Sequence, residues 1–306
     1  MKRKISAMPI LFAIAIVLVS SCRKDNSSSD ESISAEDSGN VTSALNSSTD
    51  DAANAVGGIN SLSGKTDGAL SICGYTIDST QKPSGIITIN FDGTVCNNVS
   101  KTGSIVATLE NFTGGTRWKD AGAVLKLEFQ NVKVTKISSG KSLTLSGTHY
   151  ITNTTGGVAW KVLQGLATST VTHKHVADNF TITFDDGTQR VWSVRRSRTF
   201  SVSGQVISVT VTGDTTTNGE ANVEAWGTNR KGNTFTTSVT TAISSNNTCG
   251  YYKPVTGELN HIVSNKSMNV LLGVDASGTQ VSGSCPYGVK ITYTGPNKTL
   301  TRVLAY

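Results

Sequence analysis

The chain of 306 residues carries 27 Lys and Arg against 21 Asp and Glu, a formal charge of +6. That excess is too small, and too evenly spread, for the basic footprint of a nucleic-acid binder. Hydrophobic residues at 37% and 30 glycines approach a globular average, and the polar remainder is dominated by Ser, Thr and Asn. Thr and Val suit strands and Gly and Asn suit turns, so the composition is that of an exported β protein.

Lys2, Arg3 and Lys4 open the chain, and positions 10–19 are an almost unbroken apolar run. The run has the length of a signal-peptide core and is too short to span a bilayer, which takes about 20 apolar residues. It ends in Val19-Ser20-Ser21-Cys22, small residues before a cysteine, the pattern of a lipobox. Residues 1–21 are therefore expected to be a lipoprotein signal peptide and Cys22 the site of lipidation, with palmitate among the attached chains. Several acyl chains hold a protein almost permanently; one holds it marginally, at about 0.8 kcal/mol per buried methylene. Cleavage removes three basic residues and no acid, leaving 24 minus 21, or +3. Arg23, not Asp, follows the cysteine, so the inner-membrane retention signal is missing. The expected location is the outer membrane, on either its periplasmic or its surface-exposed side.

Residues 22–68 read as the lipidated cysteine and a flexible linker. Ser27-Ser28-Ser29-Asp30-Glu31-Ser32 has nothing apolar to bury, and ordering it costs entropy without return. Short helix is allowed around 41–45 and 52–56, with a small apolar face, stopped by Gly57-Gly58.

From residue 69 to 306 the period is two, with no convincing helix. Ile87, Ile89 and Phe91 alternate with polar residues. Leu125, Leu127 and Phe129 do the same, and at Gln130-Asn131-Val132 the apolar set changes face, which predicts a bulge. Asp185-Asp186-Gly187-Thr188 is a hairpin turn between strands at 180–184 and 190–202. About fourteen strands follow one another through short turns. The expected fold is all-β: an extended antiparallel meander forming a curved sheet, a sandwich or a partly closed barrel, after a disordered N-terminal tether. A membrane-spanning barrel is set aside, because aromatic girdles are missing and a lipid anchor would be redundant.

Four cysteines remain beside Cys22, an even number in an exported chain. Of the three connectivities, Cys73–Cys96 and Cys249–Cys285 is expected, because each pair brackets a local unit. Cys73-Gly74-Tyr75 and Cys249-Gly250-Tyr251 match, and each leads to a proline and then a glycine, at Pro83 and Gly85 and at Pro254 and Gly257. One strand–turn–strand unit used twice, at 73–110 and 249–306, explains both. Paired Cys-x-x-Cys spacings of a zinc site are missing.

Several stretches resemble a group of uncharacterised Bacteroidetes-type lipoproteins. They are the charged start Arg23-Lys24-Asp25-Asn26, the run Ile87-Thr88-Ile89-Asn90-Phe91-Asp92-Gly93-Thr94-Val95-Cys96, then Leu145-Ser146-Gly147-Thr148-His149-Tyr150, the Arg-rich stretch around Trp192, and Trp226-Gly227-Thr228-Asn229-Arg230-Lys231-Gly232. The resemblance covers most of 73–306. It implies an outer-membrane location and a β architecture, and it implies no activity.

Residues able to carry chemistry are few. His173 and His175 lie two apart on one strand face and are the candidates for a metal, with Asp178 or Glu224 as a distant third ligand; the alternative is a pair of exposed strand residues. Asp185 and Asp186 have the pairing of an acid and base or of a calcium site, but the turn explains them better. Arg190, Trp192, Arg196 and Arg198 share one strand face and can stack on a sugar or headgroup; alternatively Trp192 is core and the Arg stems lie along the sheet. Trp118, in a Gly-rich loop, is a candidate sugar platform. Nucleophile elbow, zincin and phosphate-loop motifs are missing. The expectation is a lipid-anchored, non-catalytic envelope protein with a binding or scaffolding role and no cofactor. Its partners are the membrane and either envelope glycan or another surface protein, and not nucleic acid. The alternatives are a glycan- or lipid-directed hydrolase and a carrier enclosing an apolar ligand in its curved sheet.

Overall fold

The computed structural model describes residues 27–64, 73–251, 253–295 and 299–306, with side chains from Glu31 onward. The signal peptide and Cys22 lie outside the described residues. Among the described residues three α-helices, α1 (Ser27–Gly58), α2 (Asn60–Ser63) and α3 (Ala159–Leu163), and one short 3-10 turn (Lys82–Ser84) accompany fifteen strands. These are β1 (Tyr75–Asp78), β2 (Ile86–Cys96), β3 (Val99–Leu109), β4 (Ala123–Lys136), β5 (Ser142–Asn153), β6 (Val171–Phe184), β7 (Gln189–Ser203), β8 (Val206–Gly213), β9 (Thr215–Thr217), β10 (Glu220–Thr228), β11 (Thr234–Asn246), β12 (Thr256–Val263), β13 (Lys266–Val274), β14 (Gly288–Thr294) and β15 (Thr299–Ala305). The sequence suggests about fourteen; short β9, three residues long, is below what alternation can reveal.

These strands belong to one antiparallel sheet that curls into a partly closed barrel. The order follows the chain from β1 to β7, passes to β10, and continues to β15; β8 pairs with both β7 and β11, and β9 with β10. Inward positions are apolar: Ile87 and Ile89 on β2, Leu125, Leu127 and Phe129 on β4, and Phe180, Ile182 and Phe184 on β6 are buried. Outward positions on the same strands are mostly Thr, Asn, Lys, Glu and Gln, so the outer face is polar, the reverse of a lipid-facing barrel. The bulge expected at 130–132 is present. Asn131 takes φ 53°, the register with β5 shifts between Phe129 and Val132, and Val132 and Val134 return to the inside. A second bulge, at Asn179 with φ 51°, does the same for β6, between Ala177 and Phe180. An extra residue flips the side-chain phase, and without it half of each long strand would turn its apolar set to water.

The principal correction concerns the linker. Where a flexible tether was expected across 22–68, residues 27–58 form one continuous helix lodged against the inner face of the sheet. α1 packs on β2, β3 and β4 and also on β12, β13 and β14, strands from both ends of the strand order, so the sheet wraps around it. Thirty-two residues make a helix about 48 Å long at about 1.5 Å per residue. β7, with 15 residues at about 3.3 Å each, has matching length. Positions 41, 44, 45, 48, 52, 55 and 56 are buried, a 3–4 spacing that forms one stripe. Most are small, so the stripe is narrow in volume and reads as weak. In isolation a helix so rich in Ser, Asn and Gly is marginal; inside the barrel its polar side chains find partners on the wall. It ends at Gly58, as the Gly57-Gly58 pair predicts. Among the described residues no helix is long and apolar enough to cross a membrane.

Both disulfides form as expected, Cys73–Cys96 with Cα atoms 6.1 Å apart and Cys249–Cys285 at 5.2 Å. Each closes one strand–turn–strand unit, β1–β2 and β12–β13. The match is incomplete, since Pro83 lies in the turn between its strands while Pro254 precedes β12. Gly227 marks a close approach of two strands. It holds φ 149° on β10, and a Cβ there would meet the Val191 carbonyl oxygen of β7 at 2.1 Å. Gly227→Ala is therefore expected to destabilise the fold by about 2–4 kcal/mol, as strand separation adds to backbone strain. Gly219→Ala is the reference: φ is 80° but nothing lies within 4 Å, and the cost is about 1–2 kcal/mol. Urea midpoints of the two variants measure the difference.

Candidate functional site

β7 supplies the wall of the site. Its alternation places Arg190, Trp192, Val194, Arg196, Arg198 and Phe200 inward, each 2% exposed or less. Three guanidiniums buried on one face need partners, because an unpaired buried charge costs several kcal/mol. α1 provides them. Arg198 makes a bidentate pair with Asp50, at 2.6 and 3.0 Å. Arg196 donates to the Asn46 side-chain oxygen at 2.6 Å and reaches Glu224 of β10 at 3.4 Å. Arg190 donates to Ser38 Oγ at 2.7 Å. Each also lies over an aromatic ring of the wall, Arg190 over Phe235 at 3.8 Å, Arg198 over Phe200 at 5.2 Å and Arg196 over Trp192 at 5.9 Å. Burial lowers the Arg190 and Arg196 guanidiniums from their ordinary value, though an arginine remains charged at neutral pH.

The pairing continues along the helix. Asp37 takes a bidentate pair from Arg230, at 2.6 and 2.7 Å. Asp51 meets Lys101 of β3 at 2.5 Å, Glu31 meets Lys266 of β13 at 2.8 Å, and Glu36 meets Arg302 of β15 at 3.2 Å. Five carboxylates of α1 thus face five cations on strands or turns distributed around the barrel. Inside the barrel Arg190, Arg196, Arg198 and Lys101 face the helix, while Arg230, Lys266 and Arg302 meet its carboxylates nearer solvent.

Four histidines are buried in the same interior. His149 Nε2 lies 3.0 Å from His175 Nδ1, and the His173 ring packs 5.1 Å from Trp118 and 5.3 Å from Phe200, centroid to centroid. His261 bridges Thr237 at 2.8 Å and Ser34 of α1 at 3.1 Å. Desolvation, then the positive Arg196 and Arg198, pushes His149 down to about 3. Desolvation and Arg198 bring His173 to about 3, against the opposing Asp50, and desolvation and Arg190 bring His261 to about 3. His175 is held well below its usual value by burial, then by His149, Arg198, Arg196 and His173. All four are neutral at pH 7. Among the described residues, His149 Nδ1, His173 Nε2 and His175 Nε2 have no hydrogen-bond partner, so a proton added to any of these nitrogens would find no acceptor.

The residues singled out from the sequence are therefore brought together, but inside. Arg190, Trp192, Arg196 and Arg198 share a face as expected, and that face meets α1. Trp118 is not an exposed platform: it is 1% exposed, donates its backbone N–H to the Leu62 carbonyl, and closes the barrel end over α2. His173 and His175 share a face as expected, but they are core residues, which corrects the exposed alternative. Among the described residues no group of three His, Cys, Asp or Glu is placed to hold a metal ion. Asp178 pairs with Arg195, at 2.8 and 2.9 Å, and Glu224 with Arg196, so neither joins the histidines. Asp186 does turn chemistry, accepting from the Thr188 N–H at 2.9 Å, and also meets Arg230 at 3.1 Å. Sequence reasoning missed His149, His261 and the α1 carboxylates. Their signal is the 3–4 spacing of small residues in α1 together with carboxylates beside that stripe.

No family model matches the chain, and no curated protein or solved structure was found to match it, so the resemblance to Bacteroidetes-type lipoproteins rests on its motifs.

Proposed function

We propose that the chain is a lipid-anchored, non-catalytic protein of the outer membrane that binds or scaffolds an envelope partner through its outer surface. One observation carries this reading: the strand face best equipped for a ligand, with Arg190, Trp192, Arg196 and Arg198, is engaged by the chain's own helix. A glycan or headgroup cannot reach it while α1 is in place. Asp186 serves a hairpin turn, so the Asp185–Asp186 pair lends the hydrolase alternative no support, and α1 occupies the concave face that a carrier would use. Two disulfides support an oxidising, exported compartment. An envelope glycan or a neighbouring surface protein is the partner class the polar outer face would take.

Cys22→Ala tests the anchor. The variant is expected to leave the membrane fraction, or to keep its signal peptide, and to lose palmitate labelling. Membrane association and labelling equal to those of the unaltered protein would refute the proposal.

A further inference from the structure

The length of free chain between anchor and fold decides how the barrel stands on the membrane. As a flexible linker, 22–68 would reach well over 100 Å at about 3.6 Å per residue. With α1 beginning at Ser27 and packed in the barrel from Glu31 onward, only five residue steps separate Cys22 from the start of the helix, about 18 Å at full extension. The N-terminal third of α1 is ringed by hairpin ends. Asp37 holds Arg230 in the turn between β10 and β11, Arg230 also holds Asp186 in the turn between β6 and β7, and Glu31 holds Lys266 beside the turn between β12 and β13. The C-terminal end of α1 lies at the opposite mouth, where Gly57 packs on Trp160 and the Leu62 carbonyl accepts from Trp118.

Two exposed apolar side chains sit at the first of these mouths. Glu36 pairs with Arg302. Ile33 lies one helical turn before Glu36, and Leu300 shares the strand face of Arg302, two residues nearer the start of β15. They are 41% and 38% exposed.

We infer that the barrel stands end-on against the bilayer, with the mouth formed by the turns at 185–188, 229–233 and 264–265, Ile33 and Leu300 resting on the lipid headgroups. This rests on the anchor at Cys22 proposed above. The short leader is what selects this mouth, since the far end exposes Leu166, Val206 and Tyr287 at least as fully; Ile33 and Leu300 supply apolar contact once the mouth is held there. The far mouth, with Leu166 in the connection from α3 to β6, then points away, about 30 Å beyond for a 14-residue strand tilted by about 45°. The surface offered to a partner is that far mouth and the upper wall.

The test uses the full, lipidated chain in phosphatidylethanolamine–phosphatidylglycerol vesicles, with a fluorophore on Asp185→Cys or on Leu166→Cys, both exposed. Flotation reads the anchor, and contact quenching by a headgroup-nitroxide lipid reads the orientation. The expected result is co-flotation of both, with quenching several times stronger at position 185 than at 166. Co-flotation with equal quenching, or stronger quenching at 166, overturns the end-on stance and leaves the anchor standing. Failure to float overturns the anchor, and the stance with it. Ile33→Ser with Leu300→Ser supplies a second reading: the pair should weaken quenching at 185 without reducing flotation, and unchanged quenching argues against the apolar contact.

Discussion

Acidification from about pH 7.5 to about pH 5.5 is expected to remove several kcal/mol of stability, a large part of the 5–15 kcal/mol typical of a folded domain. The cause is the four buried histidines. His149, His173 and His261 sit at about 3 in the folded chain, and His175 well below its ordinary value. In the unfolded chain each returns to about 6.5. The unfolded state therefore binds more protons below that value, so the stabilising contribution is complete above about pH 6.5 and is lost as pH falls towards the folded values. Each histidine contributes a slope that approaches about 1.4 kcal/mol per pH unit in that window. Asp51, raised by burial, works in the opposite direction, as one group against four. Urea unfolding across this pH range measures the slope, and His261→Gln should flatten it by about one proton. A midpoint that stays level would contradict the buried, neutral assignment.

Arg198→Ala should be among the most damaging single substitutions, at about 3–5 kcal/mol. It strips Asp50 of a bidentate partner within the interior and removes the cation stacked on Phe200. The charged pair is not expected to be worth as much as its breakage costs, because both ions were desolvated to form it. Arg198→Met combined with Asp50→Leu should therefore recover most of the loss, and the double-mutant cycle isolates the pair. The same substitution should loosen α1 before the sheet. The helix contributes to no strand ladder and is held mainly by side chains, so the β hydrogen bonds survive its departure. Amide exchange in 31–58 should rise in Arg198→Ala while exchange in β4, β5 and β6 changes little. Uniform acceleration throughout would show instead that helix and barrel open as one unit.

The division between what is legible in the sequence and what is not follows the range of the forces involved. Period-two alternation is a local property, so β2, β4, β6 and β7 are visible, and so is the bulge at Asn131, because the apolar set changes phase within three residues. The disulfides are legible because each joins cysteines bracketing one short unit. The common face of Arg190, Trp192, Arg196 and Arg198 follows from strand geometry alone. Which side of the sheet that face takes does not, because strand geometry is indifferent to it. Arginine on a strand reads as surface unless something acidic waits inside. Asp50 lies 148 positions from Arg198, and Asp37 lies 193 from Arg230. For the same reason α1 reads as a tether. A helix of Ser, Asn, Ala and Asp has little reason to fold on its own, and its stability comes from cations on the wall of a barrel that surrounds it. The sequence by itself determined a β meander, its bulge at Asn131 and its disulfides. Only the tertiary structure decided that the helix is inside, because charge pairing across such separations depends on how the sheet closes, and no local pattern encodes that closure.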